Sequence, residues 1–133
     1  MSGRVAHIGI AVRDLDQAIE LYATLLGREV GETVVLEDRH LRIASFDLDG
    51  CRVELLEGTA PDSTISRFLE SRGPGIHHFC LTVPDIEAEI ERLEQAGFRM
   101  IDHVPRTGAD DGRIAFVHPH STGGVLLELH QEG

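Results

Sequence analysis

Two stretches of the chain repeat each other in their pattern of apolar and polar residues. Residues 5–12 and 76–83 both read as apolar strands with a histidine near the start, His7 in the first and His78 in the second. Side chains of a strand point to alternate faces, so His7 shares its face with small residues, and the bulky face should pack on a helix. We therefore align His7 with His78 and treat the chain as a repeat.

Each repeat continues with an amphipathic helix. Asp14 and Asp85 follow their histidines by seven residues and suit the N-cap position, and the helical spacing of apolar residues ends at Gly27 and Gly97. In the second helix, a group of acidic residues is expected to form the solvated face. These residues are Glu87, Glu89, Glu91 and Glu94.

Three further strands are predicted in each repeat, which gives two βαβββ modules and an α+β fold. In the first repeat they cover about 28–37, 40–48 and 51–57, with a turn at Asp49-Gly50 between the last two. In the second repeat they lie near 98–104, 113–118 and 124–130, with loops at Pro105 to Gly112 and His120 to Gly124. We expect the two paired modules to form a cleft.

The length of 133 residues suits one domain, residues 1–133. The first module covers about 4–58, a linker helix about 62–72, and the second module about 75–131. Each module ends in a strand in which a glutamate, Glu54 or Glu128, stands between apolar neighbours.

Composition excludes several classes of function. The net charge of −11 argues against nucleic acid or an anionic membrane as a partner, and no spanning or signal segment is visible. We expect a soluble, cytoplasmic protein. All 12 basic residues are arginines, which rules out a Schiff-base or phosphate-loop lysine. Cys51 and Cys80 indicate no disulfide scaffold, and Cys80 is interpreted as a small buried apolar residue.

The repeated histidines and glutamates predict a metal site. Glu54 follows His7 by 47 residues and Glu128 follows His78 by 50. A single buried histidine or glutamate is more often a hydrogen-bonded core group, but four at equivalent positions favour ligation. Two imidazoles and two carboxylates suit one divalent ion. Cobalt, manganese, nickel, zinc and magnesium are all candidates for this donor set.

Five segments carry a family resemblance that covers nearly the whole chain. They are Val-Glu-Leu-Leu-Glu at 53–57, Gly-Ile-His-His-Phe at 75–79, Pro-Arg-Thr-Gly-Ala at 105–109, Phe-Val-His-Pro-His-Ser at 116–121, and Gly-Gly-Val-Leu-Leu-Glu-Leu at 123–129. Together they resemble the methylmalonyl-CoA epimerase family of the vicinal oxygen chelate superfamily. The resemblance places the family's metal ligands on His7, Glu54, His78 and Glu128.

The resemblance implies a metal-dependent epimerase that interconverts the (2R) and (2S) forms of methylmalonyl-CoA through a metal-stabilised enolate. Glu128 is implied as one acid/base group. The second is open, because Ile43 occupies the position where some family members carry a glutamate, and Glu37 or a bound water are alternatives. Arg106 is either a partner of the substrate's carboxylate or phosphate or a surface arginine. The family also implies an acyl-CoA partner and a homodimer.

Two other functions stay open. A glyoxalase I-like lactoylglutathione lyase can use the same two histidines and two glutamates, although the His118-Pro119 sequence is less typical of that class. A non-catalytic small-molecule-binding protein of the same superfamily is the other alternative. A ring-cleaving dioxygenase is disfavoured, because its iron takes two histidines and one carboxylate.

Overall fold

A computed structural model describes residues 3–108 and 111–133. The contacts group the chain into two compact units. We call His7–His77 the first unit, and Met1–Ala6 with His78–Gly133 the second unit. The assignment of residues 1–133 to a single domain stays a prediction.

The first unit contains a four-stranded sheet in the order β2-β3-β4-β1, in which β1 runs parallel to β4 and the other pairs are antiparallel. Strand β1 begins at Arg4, so its first three residues precede His7 and belong to the second unit. The elements are β1 (Arg4–Ala11), α1 (Leu15–Leu26), β2 (Thr33–Leu36), β3 (Leu41–Leu48), β4 (Cys51–Gly58) and α2 (Thr64–Arg72). The predicted βαβββ order of the first module is therefore confirmed, and α2 is a helix in the segment where the sequence predicts one.

Helix α1 begins and ends where the sequence predicts. The side chain of Asp14 accepts a hydrogen bond from the backbone N–H of Gln17 at 3.0 Å, and Gly27 ends the helix with a φ of 64°. Both features satisfy backbone groups that a helix leaves without partners at its ends. The helix buries Leu15 and Ala18 against the sheet, where they join Val12, Ala44, Phe46 and Leu55 in a core cluster.

The two faces of β1 divide as predicted. Ile10 and Val12, from the bulky face, pack in the cluster that includes α1. Ala11, from the face that carries His7, packs with Leu56 and with Ile65 of α2. His7 is itself 8% exposed. Burial of apolar side chains on both faces thus fixes the register of the strand that positions this histidine.

The turn between β3 and β4 is also as predicted. Asp49 and Gly50 have φ values of 54° and 96°, and the flanking residues Leu48 and Cys51 are paired. Positive φ at both central residues matches the twist of the strands that the turn joins. Strand β2 is shorter than the prediction of 28–37, since only Thr33–Leu36 is regular strand.

The second unit contains a sheet in the order β5-β8-β7-β6, in which β5 runs parallel to β8 and the other pairs are antiparallel. Its elements are β5 (Gly75–Thr82), α3 (Ile86–Gln95), β6 (Arg106–Thr107), β7 (Arg113–Val117) and β8 (Leu126–Gln131). Strand β5 begins at Gly75, so its first three residues precede His78 and belong to the first unit. The core lies between α3 and the sheet, with Ile86, Ile90 and Leu93 packed on Val117 and Leu129.

The predicted strand at 98–104 is wrong. Among the described residues of this segment, the only β-bridge joins Met100 to Val117. The carboxylate of Asp102 accepts the backbone N–H of Phe116 at 2.9 Å, so a side chain takes the donor that a regular strand would have used. A short strand, β6, forms instead in the predicted loop from Pro105 to Gly112, of which residues 109 and 110 lie outside the described residues.

The prediction for Glu89 is also wrong. This side chain was assigned to the solvated face of α3, but the residue is only 6% exposed. It lies three residues after Ile86 and one before Ile90, on the apolar stripe of the helix, where the Nε–H of Arg92 donates to it at 2.9 Å. An ion-paired glutamate thus fills a position of the stripe. Among the helices described, none combines the length and hydropathy that a bilayer span requires.

Candidate metal ligands

The first histidine–glutamate pair lies on neighbouring strands of the first unit. Strands β1 and β4 are parallel, and Glu54 stands opposite Gly9, which follows His7 by two residues. Since residues two apart on a strand share a face, His7 and Glu54 point to the same side of the sheet. The Nε2 atom of His7 lies 3.6 Å from Oε1 of Glu54, and the two side chains are 10% and 14% exposed.

The second pair repeats this arrangement in the second unit. Strands β5 and β8 are parallel, and Glu128 stands opposite Cys80, which follows His78 by two residues. The Nε2 atom of His78 lies 3.4 Å from Oε1 of Glu128, with side-chain exposures of 10% and 13%. The repeat in the sequence therefore produces the same local geometry twice.

Both pairs fit a divalent ion. Ligand atoms about 2.1 Å from an ion lie roughly 3.0–3.5 Å apart when they are neighbours in octahedral or tetrahedral coordination. The two observed separations of 3.6 and 3.4 Å are close to this range. His7, Glu54, His78 and Glu128 are all among the described residues whose side chains could hold a metal ion. Imidazole nitrogens and carboxylate oxygens are also the donor types that such ions take.

Cys80 is buried, as the sequence predicts, with 1% of the residue exposed. Its thiol also belongs to the candidate metal-ligating groups, and the residue is the register partner of Glu128. The sequence interpretation as a small buried residue therefore describes its packing correctly but overlooks its position beside a predicted ligand.

Arg52 was missed by the sequence analysis. Its Nη2 donates to Oε2 of Glu54 at 3.1 Å and lies 3.5 Å from Nδ1 of His7. The guanidinium is about half exposed, so it contacts the pair from the solvent side. Its position two residues before Glu54 on the same strand is the signal that could have revealed it, because those two side chains must share a face.

Phe116 and Arg106 lie near the second pair. The ring of Phe116 packs edge-to-face on His78, with ring centroids 6.5 Å apart, and Phe116 is the register partner of Glu128. The guanidinium of Arg106 lies 5.7 Å from the centroid of the same ring, and its Nε lies 3.0 Å from Oδ1 of Asp102. Arg106 is thus an ion-paired residue that contacts the same aromatic ring as His78.

Ile43, Glu37 and His77 do not belong to either histidine–glutamate pair. Ile43 packs against the cluster that includes α2, and it carries no ionisable group. Glu37 is exposed and begins a short 3-10 segment. His77 has a pKa below its ordinary value because burial disfavours the charged ring, and it packs edge-to-face on Phe68 at 5.0 Å.

Residues 6–116 match the family described as the Glyoxalase/Bleomycin resistance protein/Dioxygenase superfamily. The chain is 38% identical to the ethylmalonyl-CoA/methylmalonyl-CoA epimerase of Cereibacter sphaeroides, over 98% of this chain and 99% of that protein. It is 35% identical to the mitochondrial methylmalonyl-CoA epimerase of Bos taurus, over 97% of this chain and 74% of that protein.

Solved structures agree with the sequence comparison. The methylmalonyl-CoA epimerase of Mycobacterium tuberculosis superposes with a TM-score of 0.85 at 37% identity, over 97% of this chain and 87% of that one. A variant of the Streptomyces coelicolor methylmalonyl-CoA epimerase, in complex with 2-nitronate-propionyl-CoA, gives a TM-score of 0.87 at 34% identity, over 100% of this chain and 96% of that one. The chain therefore has the α+β fold of these epimerase structures, as the sequence predicts.

Proposed function

This chain belongs to the Glyoxalase/Bleomycin resistance protein/Dioxygenase superfamily, and we propose that it is a methylmalonyl-CoA epimerase. It interconverts the (2R) and (2S) forms of its substrate by removing and returning one proton. The proposal is supported by the epimerases to which the chain is 35–38% identical over nearly its whole length. That identity carries the proposal, and the two histidine–glutamate contacts of similar geometry are consistent with it.

We propose that His7, Glu54, His78 and Glu128 hold one divalent ion, with cobalt as the first expectation. The support is the donor chemistry of the two pairs and their equivalence in the repeat. When bound, such an ion supplies Lewis acidity at the oxygens of the thioester and the carboxylate. The acidic carbon of the substrate lies between those two groups, so its proton becomes easier to remove.

Glu128 is proposed as one of the two groups that exchange the proton. Its carboxylate is 13% exposed and lies beside His78, so it is both shielded from solvent and held in place. A carboxylate that also serves as a ligand exchanges a proton when its coordination loosens. Glu37 and a bound water are the alternatives for the opposite group, because Ile43 has no ionisable side chain.

We propose an acyl-CoA ligand for which Arg106 supplies positive charge. The support is its position beside Phe116, whose ring contacts His78. Asp102 already neutralises part of this charge, since its carboxylate lies 3.0 Å from the guanidinium. The attraction of Arg106 for an anionic group of the substrate is therefore modest.

A cytoplasmic location and a homodimer are further proposals. The homodimer is supported by the family resemblance and by apolar side chains that the described chain leaves exposed, such as Leu21 and Leu25 of α1. Light scattering coupled to gel filtration distinguishes a dimer from a monomer of 14.6 kDa.

Proton exchange tests the proposed activity. Cobalt-loaded protein is incubated with methylmalonyl-CoA in deuterated water, and deuterium at the epimerised carbon is followed by mass spectrometry. We expect exchange far above the uncatalysed rate, lost after EDTA treatment and in His78→Ala. The variant His103→Ala, which changes an exposed histidine paired with Glu94, is the matched control and should exchange normally.

The same experiment separates the alternatives. If the wild-type protein exchanges no deuterium but converts the adduct of methylglyoxal and glutathione, the protein is a glyoxalase I-like lyase. If neither substrate reacts while acyl-CoA binds, it is a binding protein of the same superfamily. Either result contradicts the proposed epimerase activity.

A further inference from the structure

We infer that Arg52 is a positioning residue that sets the effective charge of the metal ligands in the first unit. This inference rests on the proposed metal set and adds to it a residue that contacts the ligands without binding the ion. It has two parts. Arg52 assigns the two oxygens of Glu54 to different partners, and it cancels the negative charge that Glu54 brings to the site.

The division of the two oxygens is visible in the contacts of Glu54. Its Oε1 lies 3.6 Å from Nε2 of His7, whereas its Oε2 accepts a hydrogen bond from Nη2 of Arg52 at 3.1 Å. Oε1 is therefore the oxygen of Glu54 that would be free of Arg52 to face an ion held by His7. Ligation by both oxygens would break the contact with Arg52, so this residue favours a single oxygen ligand and leaves another position for substrate.

The charge effect follows from the number of carboxylates. Two glutamates and two neutral histidines together cancel the charge of a divalent ion, and a neutral centre withdraws electrons weakly from a bound oxygen. The guanidinium of Arg52 is always protonated, and it lies against one of these glutamates. Positive charge at this point offsets Glu54 and leaves the ion more electrophilic.

The position of Arg52 is occupied by an uncharged residue in the second repeat. Arg52 is the register partner of His7 and stands two residues before Glu54. The equivalent position in the second unit holds Leu126, the register partner of His78, two residues before Glu128. A strand pair of the same geometry thus carries an uncharged residue at this place, so the fold does not require an arginine there. The hydrogen-bonding contacts of the Arg52 guanidinium described above go to the ligand pair of the first unit.

We expect loss of the Arg52 charge to change metal affinity and turnover in opposite directions. Removing the charge in Arg52→Met should tighten Co²⁺ binding to metal-free protein by about fivefold, because the repulsion between two nearby cations disappears. The same change should lower kcat for proton exchange by about fivefold, because the ion becomes less electrophilic. General damage to the fold would weaken both properties, so the opposite signs distinguish positioning from structure.

Titration calorimetry with Co²⁺ and steady-state exchange kinetics measure the two quantities. Arg52→Lys retains the charge and should restore both values to within about twofold of the wild type. The visible absorption of bound Co²⁺ should change in Arg52→Met if Glu54 becomes a two-oxygen ligand. Arg28→Met is the matched control, since Arg28 is similarly exposed and pairs with Asp49 in the same unit.

The possible results separate this inference from the proposed function. If wild-type protein binds Co²⁺ and exchanges protons but Arg52→Met alters neither, or lowers both together, the role of Arg52 is contradicted and the epimerase stands. If the wild type neither binds Co²⁺ nor exchanges protons, the proposed function itself fails. Should Arg52→Met not fold, Arg52→Gln provides the uncharged variant with a polar end.

Discussion

The carboxylate of Glu57 accepts a hydrogen bond from the backbone N–H of Leu15, at 2.9 Å and across 42 residues of sequence. Leu15 is the first residue of α1, so Glu57 satisfies one of the N–H groups that the start of a helix leaves unpaired. Glu57 also accepts from Nη1 of Arg42, its register partner on β3. A strand residue thereby ties the helix to the sheet that carries His7.

The second unit repeats this connection with a neutral side chain. Gln131 accepts the backbone N–H of Ile86, the first residue of α3, at 2.9 Å, and Nη2 of Arg113 donates to the same oxygen. Gln131 follows Glu128 by three residues, just as Glu57 follows Glu54. The last strand of each repeat therefore carries both a predicted ligand and a helix-capping side chain.

Glu57→Ala should destabilise the protein by about 1–2 kcal/mol, the usual cost of losing a helix N-terminal acceptor. The N–H of Leu15 and the guanidinium of Arg42 would both lose a partner. Urea unfolding followed by circular dichroism measures the change. Glu57→Gln keeps an acceptor oxygen, as Gln131 does, and should retain most of the stability. An unaltered urea midpoint in Glu57→Ala would show that the contact contributes nothing.

Metal removal should lower the thermal stability of the protein. An ion that binds only the folded state stabilises it by about 2.7 kcal/mol at a concentration of 100 times Kd. We therefore expect EDTA to reduce Tm, and added Co²⁺ to restore it, in a thermal unfolding scan. In His78→Ala the Tm should no longer respond to Co²⁺, whereas His103→Ala should respond like the wild type. A His78→Ala variant with a normal response would exclude this residue as a ligand.

His77 should make the metal-free protein less stable in mild acid. Burial holds its folded-state pKa below the ordinary value of 6.5. As the pH falls through 6.5, the unfolded chain takes up the proton first, so the free energy of unfolding decreases toward the folded-state pKa. His77→Phe keeps a ring beside Phe68 and should show a smaller loss between pH 7.5 and 5.5. Urea unfolding at a series of pH values tests this; equal pH dependence in both proteins would contradict it.

Arg106→Ala should raise KM for the acyl-CoA substrate by about fivefold, equivalent to about 1 kcal/mol for an exposed charge, with little change in kcat. The reason is that Arg106 lies beside the ring of Phe116 and not at a predicted ligand. Steady-state exchange kinetics separate KM from kcat. Asp102→Asn leaves the arginine in place and serves as the comparison for effects on the local fold. Unchanged KM in Arg106→Ala would remove this residue from substrate binding.

The sequence predicted those parts of the fold that depend on local chemistry. Asp14 and Gly27 bound α1 because a capping carboxylate and a left-handed glycine act within one turn of the helix. The sequence-based prediction failed where a contact with a residue distant in sequence determined the local structure. The segment near Asp102 is not a strand, because this carboxylate bonds to the N–H of Phe116, 14 residues away. Glu89 is a different kind of error, since its helical position already placed it on the apolar stripe.

For the site, the sequence by itself determined which residues to compare. The repeat equates His7 with His78 and Glu54 with Glu128, because matching residues of a repeat occupy matching places in its modules. The tertiary structure decided the rest. The parallel pairing of β1 with β4 brings His7 and Glu54 within 3.6 Å across 47 residues of sequence. That pairing also sets Arg52 against both, a contact that depends on strand register and hence on the packing of the whole unit.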